Sequence, residues 1–318
     1  MKKNLDKPQY IIVLGKTFSG SGAVFDYLNG RGDLYEPLFG QEYLLPILPN
    51  GLMTLEAVSD KAFDPATTEH ALIQFKDIAN KLMNYWARRE DVRLNQKLPL
   101  YKAAIDEFIN DISFADFPMR LLWRELKQTP IQRILDKFKK RLGFRKKDPQ
   151  TRLLVSQEDL VIAAKKMHNK MFKFHAEGRP ILLDQGGSGW NPIESTKYYS
   201  NCKIVLVTRD PRDQFVEIKH YKKATSIKGF IEWYKEMQKR LKSIKNPNIL
   251  KIQFEDFVLK NKDFSDKLCN HMSISSKITS NYVPDSSKKN IGKFHKILSK
   301  NEIEIIESNL REFIYEAR

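Results

Sequence analysis

The densest chemical signal in the sequence lies near its start, where Gly15-Lys16-Thr17-Phe18-Ser19-Gly20-Ser21-Gly22 follows the apolar run at 10–14. Glycines let a backbone curl until several N–H groups point inward, and a helix that begins at once aims its positive dipole end at the same place. Such a turn can cradle a phosphate; the competing reading is a plain strand-to-helix turn. Gly15 and Gly20 have the spacing of a Walker loop. Ser21, however, stands where the Walker lysine is required, and Gly22 where the Mg²⁺-holding Ser or Thr is required. The triplet Gly15-Lys16-Thr17 is a false match, because a strand and not a glycine loop precedes it. The turn therefore suits a phosphate bound without the Walker metal apparatus, and no metal is expected.

A second anion-binding pattern is Thr208-Arg209-Asp210-Pro211-Arg212-Asp213, which follows the apolar run at 203–207. Ligands of open parallel sheets sit beyond the carboxyl ends of the strands. Arg209 stands there, and a guanidinium makes two parallel, charge-assisted bonds to a phosphate. Asp213 is expected to cap the helix that Pro211 opens, or to orient an arginine.

These residues need a scaffold, and the rest of the pattern supplies one. Short β-rich runs at 10–14, 181–183, 203–207 and 249–254 suit strands buried on both faces. Helices are expected at 23–28, 68–89, 101–112, 156–175, 213–221 and 226–244, and from Ser299 to near Tyr315. Ser156 with Asp159, and Ser299 with Glu302, read as capping boxes. Strands alternating with helices predict an α/β fold with a mostly parallel central sheet flanked by helices. The 318 residues fit one domain with a helical insert at about 45–175. Within it, 124–152 carries eleven Lys or Arg against three acidic residues, half of the net charge of +16. Ile131, Ile134, Leu135, Phe138 and Leu142 fall on one face of a helix starting at Thr129-Pro130 and stopping at Gly143. That helix is either a solvated cap or a platform for an anionic acceptor or membrane surface.

With these motifs in order, the chain resembles the sulfotransferases that use 3′-phosphoadenosine 5′-phosphosulfate, in the style of bacterial carbohydrate-type members. The turn with Ser19-Gly20-Ser21 is similar to their 5′-phosphosulfate motif, and Arg209 matches the arginine of their 3′-phosphate motif. Ile252-Gln253-Phe254-Glu255-Asp256-Phe257 resembles their strand-plus-"YEDL" element. The stretch 287–294 resembles the segment that folds back over the nucleotide. The resemblance implies a P-loop-like sulfotransferase fold and a nucleotide co-substrate touched by Gly15, Lys16, Thr17, Ser19, Gly20, Ser21, Gly22, Arg209, Lys288, Lys289, Gly292 and Lys293. It also implies an acceptor hydroxyl on a saccharide or lipid-linked saccharide. It does not extend over about 45–175.

Sulfuryl transfer is an in-line displacement in which the protein positions groups and stabilises charge. Lys16 and the turn would hold the 5′ side, and a carboxylate or histidine would take the acceptor proton. Glu42 and then Glu36 are the candidates, with Asp184 and Gln185 also able to face the acceptor. Trp190 could stack on a sugar. Two positions depart from the family pattern. Phe18 stands where Lys or Arg is usual, and Glu217 where a serine is usual, so either the 3′-phosphate relies on Arg209 and the C-terminal lysines or the nucleotide differs.

The charge of +16 implies an anionic partner without choosing one. No basic-aromatic interleaving suggests nucleic acid. Cys202 and Cys269 make neither a disulfide framework nor a metal spacing. No apolar run is long enough to span a bilayer, and 1–8 does not read as a signal peptide. A cytoplasmic location is expected, with peripheral contact to an anionic membrane through 124–152. A kinase-like nucleotide enzyme and a non-catalytic anion- or glycan-binding relative are the competing readings.

Overall fold

The computed structural model describes residues 10–87, 98–119, 121–142, 150–221 and 226–316. In chain order it forms β1 (Tyr10–Gly15), α1 (Ser21–Asn29), α2 (Leu52–Lys61), α3 (Pro65–Ala87), α4 (Tyr101–Asp111), β2 (Ser113–Pro118), α5 (Leu122–Leu126), α6 (Pro130–Arg141), β3 (Gln150–Leu154) and α7 (Gln157–Phe172). Then come β4 (Ile181–Asp184), α8 (Pro192–Thr196), β5 (Cys202–Thr208), α9 (Pro211–His220), α10 (Ile227–Lys242), β6 (Ile249–Gln253), α11 (Phe254–Leu259), α12 (Asn261–Met272), α13 (Asp285–Lys288), α14 (Phe294–Ile297) and α15 (Lys300–Leu310). The predicted end of the third helix at Arg89, and the stop at Gly143, lie outside the described residues.

The central sheet has the order β4-β1-β5-β6 and every pairing is parallel. The continuous apolar runs explain it. Along β1, Tyr10, Ile12 and Leu14 enter one core while Ile11 and Val13 enter the other. Along β5, Ile204 and Leu206 join the first core and Val205 and Val207 the second. A strand buried on both faces needs helices on both, and a parallel pairing needs the long crossovers that supply them. Each Val, Ile or Leu so buried contributes about 1.5–3 kcal/mol. All four strands therefore end at one edge, where their following loops meet.

The stretch 45–175 supplies much of the first core: Leu52, Phe75, Phe108, Leu160 and Phe172 pack in one cluster with Tyr10 and Ile12. It also contains an antiparallel ribbon, β2 with β3, which helical periodicity did not predict. Both serines cap their helices, but only the second pair forms the expected reciprocal box. Ser156 accepts from the Asp159 N–H, and Ser299 and Glu302 cap reciprocally. The last helix stops at Leu310 and not near Tyr315, passing into a short 3₁₀ turn (Arg311–Phe313). The reason is tertiary. The Tyr315 N–H donates to Asp210 and its hydroxyl to Asp256, drawing the chain toward the ends of β5 and β6. The expected helix at 213–221 starts two residues earlier, since Asp210 accepts from the Arg212 N–H as its cap and Pro211 occupies the first turn.

Candidate functional site

The turn after β1 is held from three directions. Within it, Ser19 Oγ accepts from the Lys16 N–H at 3.2 Å. From the β4 edge, Gln185 accepts from the Gly15 N–H at 3.3 Å and donates to Ser21 Oγ at 3.0 Å. From α9, the Gln214 amide donates to the carbonyls of Lys16 (2.9 Å) and Thr17 (2.5 Å). Gly20 adopts φ +83°, and an added Cβ there would lie 2.3 Å from the Phe254 ring, so the position requires glycine twice over. No side chain caps α1 at Gly20, which leaves first-turn N–H groups of that helix available to an anion. Thr17 and Gly22 are exposed on the rim of the turn.

The second pattern converges on the same place. Arg209 is 4% exposed, and its Nη1 donates to the Phe18 carbonyl at 3.1 Å. Its Nη2 donates to the Asn290 carbonyl at 2.5 Å. Its Nε is buried without a hydrogen-bond partner, and its guanidinium lies 5.1 Å from the Phe254 ring centre. Phe18, the residue that replaces a basic one, takes φ 60° and stacks on Tyr221 with ring centres 4.9 Å apart. That left-handed conformation costs a non-glycine residue on the order of 1 kcal/mol.

The C-terminal return segment is pinned here by Asp213. Its carboxylate accepts from the N–H groups of Gly292 (2.7 Å) and Phe294 (3.0 Å). The expectation that Asp213 caps its helix or orients an arginine is thus corrected. Asp210 caps the helix, because it sits at the first non-helical position, while Asp213 one turn later faces the incoming segment. Arg212 pairs with Asp210 at 2.7 Å and Glu307 at 2.6 Å. Glu255, fully buried, accepts from the Asp210 N–H at 2.9 Å. Burial pushes its carboxyl up to about 7.

The lysines divide. Lys293 pairs with Glu217 at 2.7 Å, and Glu217 lies 3.9 Å from Arg209. The carboxylate that replaces a serine is thereby shared between two cations. Lys288 is exposed and pairs with Asp285 at 2.6 Å, and Lys289 is exposed. Lys16 turns inward: it is 6% exposed, with Nζ 4.3 Å from the Trp190 ring centre. Trp190 in turn meets Trp233 edge-on at 5.8 Å, so it packs under the lysine. Burial lowers the Lys16 amine to about 6, with the charge of Arg240 adding to the effect. An anion delivered to the turn would restore its proton.

A stability prediction follows from Lys16. Between about 6 and its ordinary 10.5, the unfolded chain holds a proton that the folded chain lacks, so this group's contribution makes stability rise with pH. Lys16→Met removes the term and fits the apolar bed. It is expected to raise the unfolding temperature at neutral pH and to weaken anion binding. Calorimetry showing a lower unfolding temperature would mean that the amine is charged and well satisfied.

Two of the candidate carboxylates, Glu42 and Asp184, line a cavity of about 560 Å³, whereas Glu36 is not in its lining. Leu44, Leu48, Ile78 and Leu82 wall it, Glu42 and Asp184 supply acidic groups, and Lys81 supplies a basic one. Asp184 ends β4 and immediately precedes Gln185, which grips the turn. Its Oδ1 is buried with no partner. Burial, with the negative charge of Glu42 next, pushes its carboxyl up to about 7. Glu42 is exposed. Glu36 accepts from the Leu38 N–H at 2.7 Å, bracing its own turn. His168 is fully buried between the Tyr198 carbonyl and the Tyr43 hydroxyl, and is a packing residue.

Sequence reasoning passed over Gln214 and Asn290. For Gln214 a signal existed, since it lies one turn into the helix that follows Arg209. Asn290 acts through its carbonyl, which no residue type announces. No group of three or more His, Cys, Asp or Glu arranged for a metal ion occurs among the described residues.

No protein-family model matches the chain, and no curated protein matches it in sequence. Among solved structures, it is similar to the sulfotransferase domain of the Synechococcus PCC 7002 olefin synthase. That alignment has 13% identity and a TM-score of 0.47, and covers 100% of this chain and 99% of the other. The sulfotransferase domain from the curacin biosynthetic pathway gives 13% and 0.45, over 98% and 99%. Sulfotransferase STF9 from Mycobacterium avium gives 11% and 0.37, over 96% and 76%. Scores and identities this low establish neither a shared family nor a shared activity.

Proposed function

We propose that the chain transfers a sulfuryl group from 3′-phosphoadenosine 5′-phosphosulfate to an acceptor hydroxyl. The observation that carries this reading is the meeting of the glycine turn with Arg209, whose Nη1 lies 3.1 Å from the Phe18 carbonyl. Two candidate anion-binding patterns that follow separate strands thereby meet at the carboxyl edge of the sheet, which supports a ligand with two phosphate-bearing ends. The donor would supply the activated S–O bond. The turn's N–H groups and Lys16 would hold its 5′ phosphosulfate, and Arg209 with its unpartnered Nε would meet the 3′-phosphate. Gly292 stands at the return segment that closes over it. Lys293, Lys288 and Lys289 would add positive charge from that side, Lys293 shared with Glu217.

Of the three carboxylates, Asp184 best suits the proton acceptor. It alone combines a position next to the turn, a buried oxygen without a partner and a carboxyl raised to about 7. An acceptor O–H in the cavity would give its proton to Asp184 as its oxygen forms the new bond to sulfur. The S–O bond to the nucleotide breaks, and adenosine 3′,5′-bisphosphate leaves with the electron pair. Glu42 would keep Asp184 basic through its charge, and Glu36 would brace the loop that carries Glu42. Apolar walls joined to the charged groups Glu42, Asp184 and Lys81 favour a lipid-linked saccharide over a bare sugar as the acceptor.

The test is thermal shift with adenosine 3′,5′-bisphosphate, ATP with Mg²⁺, and oligonucleotides. Bisphosphate at about a hundred times its Kd is expected to add roughly 2.7 kcal/mol of stability. Stabilisation by ATP with Mg²⁺ alone would replace this reading with a kinase-like one, and stabilisation by oligonucleotides alone with a nucleic-acid binder. Stabilisation by the bisphosphate without turnover of labelled donor on a glycan and lipid panel would indicate a non-catalytic relative.

A further inference from the structure

The basic, amphipathic α6 is not absorbed by the site at the sheet edge. Ile131, Ile134, Leu135, Phe138 and Leu142 each leave between 52% and 70% of their surface exposed. Leu122 and Leu126 on α5 are each 69% exposed. Soluble surfaces scatter such side chains singly, and a contiguous run of them marks a contact surface. The helix is tied to the body through α5. There Arg124 forms an ion pair with Glu69 of α3 and donates to Thr151 Oγ1 of β3 at 2.9 Å. Lys127 lies 3.2 Å from the His70 ring. Arg133 of α6 donates to the Glu125 carbonyl at 3.3 Å. These bonds fix α5 on the body and tie α6 to it through Arg133, and the apolar stripe of α6 is left open to solvent.

The charge pattern selects the occupant. The sequence of α6 holds five basic residues, Arg133, Lys137, Lys139, Lys140 and Arg141, against Asp136 alone. At helical spacing, Lys139 and Arg141 flank the apolar stripe on its two sides. Long basic side chains in that position can extend past an apolar seam to phosphates while their stems stay in the hydrocarbon. A protein groove would meet this excess of positive charge only with an acidic rim. A second copy of the same stripe would set like charges against each other.

We infer that α6, with Leu122 and Leu126, docks flat on an anionic lipid bilayer. Its apolar stripe enters the headgroup–acyl boundary and its flanking cations lie at the lipid phosphates. This surface is independent of the sulfuryl-transfer reading and stands whether or not that reading does.

The experiment is co-sedimentation of the full chain with vesicles of phosphatidylcholine alone and of phosphatidylcholine mixed with phosphatidylglycerol, at low and high salt. Binding is expected to the anionic vesicles, to be at least about tenfold weaker on neutral ones, and to fall with salt. Ile134→Glu with Phe138→Glu should abolish it, and Lys139→Glu with Arg141→Glu should weaken it at least about tenfold. These positions are exposed, so an unchanged unfolding temperature serves as the folding control. As a second readout, Phe138→Trp should show a blue-shifted emission on adding anionic vesicles only. No binding to either vesicle, or equal binding to both, overturns the inference. So does a dimer, seen by light scattering, that the Ile134→Glu, Phe138→Glu chain loses while vesicles leave it unbound, because the stripe would then belong to a second copy.

Discussion

Arg209→Ala is expected to weaken adenosine 3′,5′-bisphosphate binding by about a hundredfold or more, since charge-assisted bonds to a buried phosphate contribute about 1.5–3 kcal/mol each. The loss has two sources. The guanidinium would meet the phosphate directly, and it also ties the glycine turn to the C-terminal return segment. Its Nη atoms bridge Phe18 in the turn and Asn290 in the return segment. Truncation leaves both carbonyls without that donor and leaves Glu217 paired with Lys293 alone. A fall in stability of about 2–4 kcal/mol is expected alongside. Arg209→Lys separates the two effects. It keeps a charge and loses the fork, so it should fold more stably than the alanine variant and still bind the bisphosphate at least about tenfold more weakly than the parent. Isothermal titration calorimetry on both variants decides the matter. Parent-like affinity in folded Arg209→Ala protein would remove this residue from the nucleotide site.

Asp184→Asn should lower turnover by about 10²–10⁴-fold while leaving bisphosphate affinity within a few-fold of the parent. The amide keeps the shape and cannot take a proton. Parent turnover is expected to rise with pH through about 7, where Asp184 ionises, and the residual activity of the variant should lack that limb. The stability effect has a definite sign. With its carboxyl raised from 3.8 to about 7 by burial and by Glu42, the folded chain holds a proton between those values that the unfolded chain has released. The contribution of Asp184 to stability is therefore fully present below about 4 and is lost as pH rises through about 7. Asp184→Asn should raise the unfolding temperature above that range and change it little at the acid end. If the pH–rate limb survived in Asp184→Asn and vanished instead in Glu42→Gln, the proton acceptor would be Glu42.

The four strands of the sheet, most of the longer helices and the curled backbone at 15–22 were legible in the sequence because each depends on local pattern, whereas the helices at 52–61 and 261–272 were not. Continuous apolar runs call for strands covered on both sides, and glycine density after a strand calls for a curled backbone. The position of Arg209 beyond a strand end was legible for the same reason. Residue types alone did not reveal which side chains hold the turn. Gln185 and Gln214 are distant from it in sequence and reach it only because parallel strands end together. Asp213 was read from its place in a helix, whereas its partners, the N–H groups of Gly292 and Phe294, come from a segment about eighty residues on. The inward course of Lys16, the raised Asp184 and the pairing of Glu217 with Lys293 arise from burial and from neighbours supplied by other elements. Local spacing by itself thus determined the fold class and the places of the two candidate anion-binding patterns. Only the tertiary structure decided how those patterns are braced, which of the carboxylates lining the cavity is buried and which lysine is stripped of water, because desolvation and Coulomb interaction depend on distance in space and not along the chain.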